Sequence, residues 1–261
     1  MPDLFYPLMM RRIIIRLYNN MSGHSKWATT KRAKAAVDAK RGAMFTKIAN
    51  LITIAAREKG GDPDTNFTLR MAMEKAKAAN MPKDNINRAI KRGTGEGGGQ
   101  EVAELIYEGF GPAKSQFIIK CLTDNRNRAS ASIRHLFSKH GGALGNVAWN
   151  FSQKGVIRIL KEELSKVNIK LDDLELNLID AGAQDFSPEE EGVTIYAKIE
   201  DLQALKKFVE EKNIKTETAD IEFIAKENQK IEGEDKEKIE KFIEELEDCE
   251  DVADYYTNAA Y

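Results

Sequence analysis

Residues 93–100 read GTGEGGGQ, and the hydrophobic period changes across them. Before the run, apolar residues recur every three or four positions; after it, they alternate in short stretches. A 3.6-residue period and a two-residue period cannot be buried by the same element, so a chain with this break must build at least two architectures. The run itself has no Lys-Ser/Thr after it and no strand before it. It fails the phosphate-loop pattern and reads as a flexible linker. Upstream, Phe45, Ile48, Ala49, Ile52, Ala55 and Ala56 share one face of a helix over about 41–59, which Gly60 and Gly61 stop. Asp64 or Thr65 is placed to cap a second helix carrying Leu69, Ala72, Met73, Ala76 and Ala79. Pro82 suits the start of a third, with Ile86, Ala89 and Ile90. Short turns between them make a three-helix bundle.

Downstream, 102–110 and 116–122 read as strands of a hairpin turning through Gly109, Gly111 and Pro112. Asp124 or Asn125 caps a helix to about residue 139, buried through Ala129, Ile133, Leu136 and Phe137; residues 141–154 read as a connector. Strands follow at 156–160, 193–199, 216–225 and 252–257, with helices at 171–181, 201–211 and 234–246. This order gives an α+β multidomain protein. Two strands and one helix in 102–140 are too few to close a core, and 220–258 offers a strand, a helix and a strand to complete it. The expected domains are a basic helical domain at 21–98, a discontinuous α+β domain at 99–150 plus 217–261, and an inserted α+β domain at 151–216. Three sequential domains are the alternative.

Charge is divided as sharply as period. Residues 22–99 hold 16 Lys/Arg against 7 Asp/Glu, whereas residues 200–261 hold 9 against 20. The basic excess peaks in SGHSKWATTKRAKAAVDAKRGAMFTK, residues 22–47, where Lys26, Lys31, Arg32, Lys34, Lys40, Arg41 and Lys47 surround the single acid Asp38. On a helix, Lys31, Lys34 and Arg41 fall near one stripe, and Ala33, Val37 and Met44 on another. Cations beside an aromatic, Trp27, suit a phosphate backbone; the alternative is a solvated helix face. Lys91 and Arg92 extend the basic character, or complement a helix dipole. In TDNRNRASASIRHLF, Arg126 and Arg128 stand at a helix start, where backbone N–H groups also favour anions; the alternative is ordinary capping with solvated arginines.

No nucleophile–base constellation or carboxylate pair marks a catalytic site, so none is assigned and an enzyme is not expected. Cys121 and Cys249 cannot staple a fold of this length. With His24, His135 and His140 they show no metal-ligand spacing, so neither a metal nor a cofactor is expected. This suits a reducing cytoplasm. The apolar runs of MPDLFYPLMMRRIIIRLYNN, residues 1–20, are too short to span a bilayer and are followed by no cleavage site for a secretory signal. They read as translation from a misplaced upstream start, with Met21 the natural one.

Five segments together resemble one family: SGHSKWATTKRAKAAVDAKRGAMFTKI, MPKDNINRAIKRGTGE, YEGFGP, LTDNRNRASASIRHLFSKHGGALG and VAWNFSQKG. They are similar to the YebC/PmpR family of bacterial proteins, whose mitochondrial relatives act as translational activators. The resemblance runs from about residue 21 to near the end. It implies a helical N-terminal domain and two α+β domains, one inserted in the other, in a cytoplasmic regulator without catalytic residues. Some members are described as transcriptional regulators that bind DNA, others as factors acting on translating ribosomes. Lys114, Ser115 and Gln116 after the YEGFGP turn, and the spacing of GGALGNVAW, depart from the family pattern. The expected partner is therefore nucleic acid: DNA in a transcriptional regulator, or ribosomal RNA and the ribosome in a translation factor, with no membrane partner. The residues show neither a recognition helix aimed at base edges nor an aromatic pair of the kind that stacks unpaired bases.

Overall fold

A computed structural model describes residues 41–98, 101–167 and 171–260. These residues form two compact units: residues 41–50, 101–150 and 225–260, and residues 51–98, 151–167 and 171–224. Helix α1 (Arg41–Lys59) contributes residues 41–50 to the first and 51–59 to the second.

The first unit is built on the hairpin of β1 (Ala103–Phe110) and β2 (Gln116–Thr123), paired antiparallel from Phe110 opposite Gln116 to Ala103 opposite Thr123. The strand β3 (Ala143–Leu144) flanks β1, and β9 (Val252–Thr257) pairs antiparallel with β2, giving the order β3-β1-β2-β9. Phe117, Ile119 and Cys121 of β2 point to one face, where α4 (Arg126–Lys139) brings Ile133 and Phe137 and α8 (Glu234–Asp248) brings Ile239, Phe242, Ile243 and Leu246. The helix spacing and strand alternation of the sequence meet in this one core. Gly109 has to be glycine: a Cβ there would lie 2.6 Å from the Phe137 ring and 2.7 Å from the Ala143 carbonyl. The hairpin turn is tied by Gly111 N–H to Ser115 O at 2.7 Å, and Ala113 and Lys114 both take left-handed backbone angles. At the C-terminus, β8 (Gln229–Lys230) pairs in parallel with β10 (Ala259–Ala260).

The second unit packs helices on a sheet of order β5-β6-β4-β7, formed by β4 (Phe151–Leu160), β5 (Ala183–Pro188), β6 (Gly192–Ala197) and β7 (Thr218–Ala225). Ile157, Ile159, Val193 and Ile195 face Leu174 and Leu178 of α6 (Leu171–Asp180) and Leu202, Leu205 and Val209 of α7 (Leu202–Glu211). A short helix, α5 (Lys161–Lys166), follows β4. Helix α2 (Phe67–Ala78) joins the same core through Met71, with Lys206 donating to Glu74 at 2.7 Å and Lys75 to Asp220 at 2.7 Å. Its N-cap is Asn66, not Asp64 or Thr65. The Asn66 side chain accepts from Leu69 N–H at 3.0 Å and donates to the carbonyls of Ala55 and Gly60, so one buried amide closes two helix ends.

Two further expectations change here. The strand at 218–225, grouped by sequence with the C-terminal unit, pairs in the second sheet. Glu217 N–H donates to Arg158 O at 2.8 Å and Glu222 holds the Arg158 guanidinium. The glycine run is also no free tether over its described part. Gly93 ends α3 (Lys83–Gly93), and a Cβ there would strike the Thr53 carbonyl and lie 2.7 Å from the Ala56 side chain of α1. Glu96 and Gly97 N–H then fold back onto the Lys91 carbonyl at 2.9 and 3.0 Å. The overall class is α+β: helices at the N-terminal side, then two four-stranded sheets with helices packed on them and the small β8–β10 pair.

Candidate nucleic-acid interface

The residues of the basic segment divide by position. Lys26, Lys31, Arg32, Lys34 and Lys40 lie outside the described residues, and Arg41 opens α1 with its side chain likewise outside them. Lys47, two turns into α1, seats its ammonium on the Glu247 carbonyl at 2.6 Å, at the C-terminal end of α8. That end of a helix attracts cations. Burial pushes the Lys47 amine below its ordinary value, against the opposing pull of Cys249, Glu247, Asp248 and Asp254. Lys91 and Arg92 sit together in the last turn of α3; Lys91 is exposed and Arg92 half-buried.

Arg126 and Arg128 open α4, whose N-cap Asn125 accepts from Arg128 N–H at 3.0 Å. The two arginines have different surroundings. Arg126 is exposed in the first turn, where the local dipole also favours an anion. Arg128 donates through Nη2 and Nε to both oxygens of Asp251, at 2.6 and 3.0 Å, and reaches Asp124 at 3.2 Å. Burial pushes the Asp251 carboxyl up, but the bonds from Arg128 and Thr123 and the Arg128 charge outweigh it and hold it below its usual value. A bond path joins this site to α1: Asn50 donates to Leu122 O at 3.4 Å, Leu122 N–H to Asp251 O at 2.9 Å, and Arg128 holds the Asp251 carboxylate. The helix that continues the basic segment is thus fixed beside the arginine-bearing start of α4. Arg134 and His135, further along α4, are exposed.

The depressed Asp251 carboxyl carries a pH prediction. Its contribution is complete above the unfolded value, about 3.9, and is lost as pH falls through the lower folded value. Arg128→Gln is expected to lower the urea midpoint at neutral pH, and its deficit should shrink as pH falls from about 5 through the lowered folded value. A deficit unchanged over that range assigns the loss to packing instead of charge.

Sequence reasoning missed two aromatics. Phe110 on β1 and Trp149, in the 3-10 turn Ala148–Asn150, are 37% and 58% exposed. Large aromatics are normally assigned to the core, so hydropathy alone hides such side chains. Among the described residues, no group of three or more His, Cys, Asp or Glu could hold a metal ion, and no helix is long and apolar enough to cross a membrane.

Residues 25–96 match the family model of the TACO1/YebC protein N-terminal domain, and residues 102–259 that of the TACO1/YebC second and third domain. The chain belongs to the TACO1/YebC family. A "probable transcriptional regulatory protein" of Thermoanaerobacter pseudethanolicus is 46% identical over 241 residues, spanning 91% of this chain and 96% of the relative. Another of that name, from Caldanaerobacter subterraneus subsp. tengcongensis, is 46% identical over 241 residues, 91% of this chain and 98% of its own. A crystal structure of a conserved hypothetical protein from Aquifex aeolicus superposes with a TM-score of 0.76 at 37% identity, covering 85% of this chain and 91% of that one. The TACO1/YebC match thus includes both the basic head and the α+β part bearing Arg126 and Arg128.

Proposed function

We propose that this TACO1/YebC protein is a cytoplasmic, DNA-binding regulator of transcription. The observation that carries the reading is the concentration of cations in residues 22–47, on the chain leading into α1, in a protein whose relatives over most of its length are named probable transcriptional regulatory proteins. Lys26, Lys31, Arg32, Lys34, Lys40 and Arg41 supply the phosphate contacts in this reading. Arg126 adds one at the start of α4, and Lys91 and Arg92 add cations in the last turn of α3. Lys47 and Arg128 serve by position: one holds α1 against the end of α8, the other holds the start of α4 against Asp251. Contacts of this kind give affinity and register without reading bases. The exposed Trp149 and Phe110 favour a second reading, a translation factor on ribosomal RNA, because duplex DNA offers no unpaired base to an aromatic side chain.

Salt dependence tests the phosphate contacts. Replacing Lys31, Lys34 and Arg41 together by Ala should flatten the slope of log K against log salt by roughly 0.7 to 0.9 per lost contact. An unchanged slope removes the basic segment from the interface. Duplex DNA and ribosomal RNA fragments, compared at one salt concentration, separate the two readings.

A further inference from the structure

We propose that Trp149 and Phe110 form a stacking platform for unpaired nucleobases, a site distinct from the phosphate-binding cations; the proposal rests on the nucleic-acid reading above. Trp149 is bracketed by two residues, each bonded to an immediate neighbour of Phe110. On one side, the Glu108 carboxylate accepts the N–H groups of Val147 and Ala148, both at 2.8 Å, and Glu108 lies on the same face of β1 as Phe110. On the other, the Asn150 amide donates to the side chain of Gln116 at 2.7 Å, and Gln116 is the cross-strand partner of Phe110. Gly145 passes the Phe110 ring so closely that a Cβ there would lie 3.2 Å away. Trp149 and Phe110 therefore stand at one rim of the sheet, tied through their bonded neighbours.

The rim is rigid. Asn150 also donates to Glu227 O at 2.9 Å and accepts Glu227 N–H at 2.9 Å, while its carbonyl takes Lys226 N–H at 2.7 Å. A tryptophan held on a turn bonded this densely, yet 58% exposed, has been kept out of the core by the backbone around it. Stacking uses such a preorganised ring.

The surroundings suit a nucleotide better than a protein. The Lys226 ammonium donates to the Trp149 carbonyl at 2.7 Å, placing a cation at the backbone of the residue that bears the ring, and Lys114 is exposed on the hairpin turn that follows Phe110. With Ile106, 42% exposed on the same face, the rim offers three apolar side chains. That falls well short of the roughly 1,200–2,000 Å² of a stable protein interface, but each base needs only one ring face.

The test uses the full chain carrying Trp27→Phe, which leaves Trp149 as its only tryptophan. Labelled single-stranded DNA, single-stranded RNA and a matched duplex are titrated at low salt, with Trp149 emission and oligonucleotide anisotropy read together. Single strands are expected to quench Trp149 and the duplex to leave it unchanged; the strand type that quenches more strongly identifies the natural source of the base. Trp149→Ala and Phe110→Ala should each weaken single-strand binding roughly 5- to 150-fold while leaving duplex affinity unaltered. Single strands that bind without quenching, and equally well to Trp149→Ala, overturn the platform but leave the nucleic-acid reading standing, with the rim then open to a protein partner. Binding to no oligonucleotide at all removes that reading and the platform with it.

Discussion

Glu222→Leu is expected to destabilise the protein by about 3–5 kcal/mol, a large share of the roughly 5–15 kcal/mol that holds a folded domain together. The reason is the guanidinium it would strand. Arg158 on β4 donates through Nη1 and Nη2 to the two carboxylate oxygens of Glu222 on β7, at 2.6 and 2.9 Å, with the residues 6% and 3% exposed. Burial pulls the Arg158 proton affinity down, and the Glu222 bonds and charge more than restore it. Arg158 Nε has no hydrogen-bond partner among the described residues, and Glu189 acts on the guanidinium through its charge alone, so Glu222 supplies the side-chain bonds that hold it. The double variant Arg158→Met with Glu222→Leu should recover most of the loss, because a buried ion pair exchanged for apolar groups of similar volume is often neutral. Urea denaturation of the single and double variants measures this, and hydrogen exchange on β4 and β7 locates it. A single-variant cost below about 1 kcal/mol, the size of an exposed pair, would show that water reaches the guanidinium.

The same pair shows where sequence reasoning stops. Thr218 to Ala225 was legible as a strand, because Thr218, Ile221, Phe223 and Ile224 are residue types enriched in strands. Its partner was not, because pairing with β4 is decided by a side-chain contact between residues far apart in the chain. Helices α1 to α3 were legible from spacing alone, as were β1, β2, α4 and α8. The strand β5 was not: AQDFSP buries only Ala183 and Phe186 and its register shifts between Ala183 and Asp185, so no alternation appears. The two-residue strands β3, β8 and β10 are too short to carry a period. Among the candidate site residues, cationic character was visible but engagement was not. Lys47 and Arg128 look like Arg126 in sequence, yet only the fold brings the α8 carbonyl to one and Asp251 to the other. Trp149 was hidden for the opposite reason, since apolar type argues for burial and only the bonds of its neighbours hold it outside.

Phe242→Ala is the second change expected to cost about 3–5 kcal/mol, and it reaches the candidate interface from inside. Phe242 is fully buried on α8, with the rings of Phe117 and Phe137 at 4.9 and 5.0 Å in near edge-to-face geometry and His140 at 5.3 Å. Truncation removes the transfer energy of the ring and leaves a cavity bounded by a strand and two helices, which can close only if one of them moves. Both helices carry interface elements: the end of α8 receives Lys47, and the start of α4 bears Arg126 and Arg128. Thermal or urea denaturation should therefore show the loss, with amide exchange rising along α4 and α8. Phe242→Leu, which refills part of the cavity, should lose less. If instead Phe242→Ala is as stable as the parent, the three rings do not form a close-packed centre, and the seating of Lys47 and Arg128 must rest on their own hydrogen bonds. Retained stability with normal salt-dependent binding would make those polar contacts, and not the phenylalanine cluster, what sets the geometry of the basic surface.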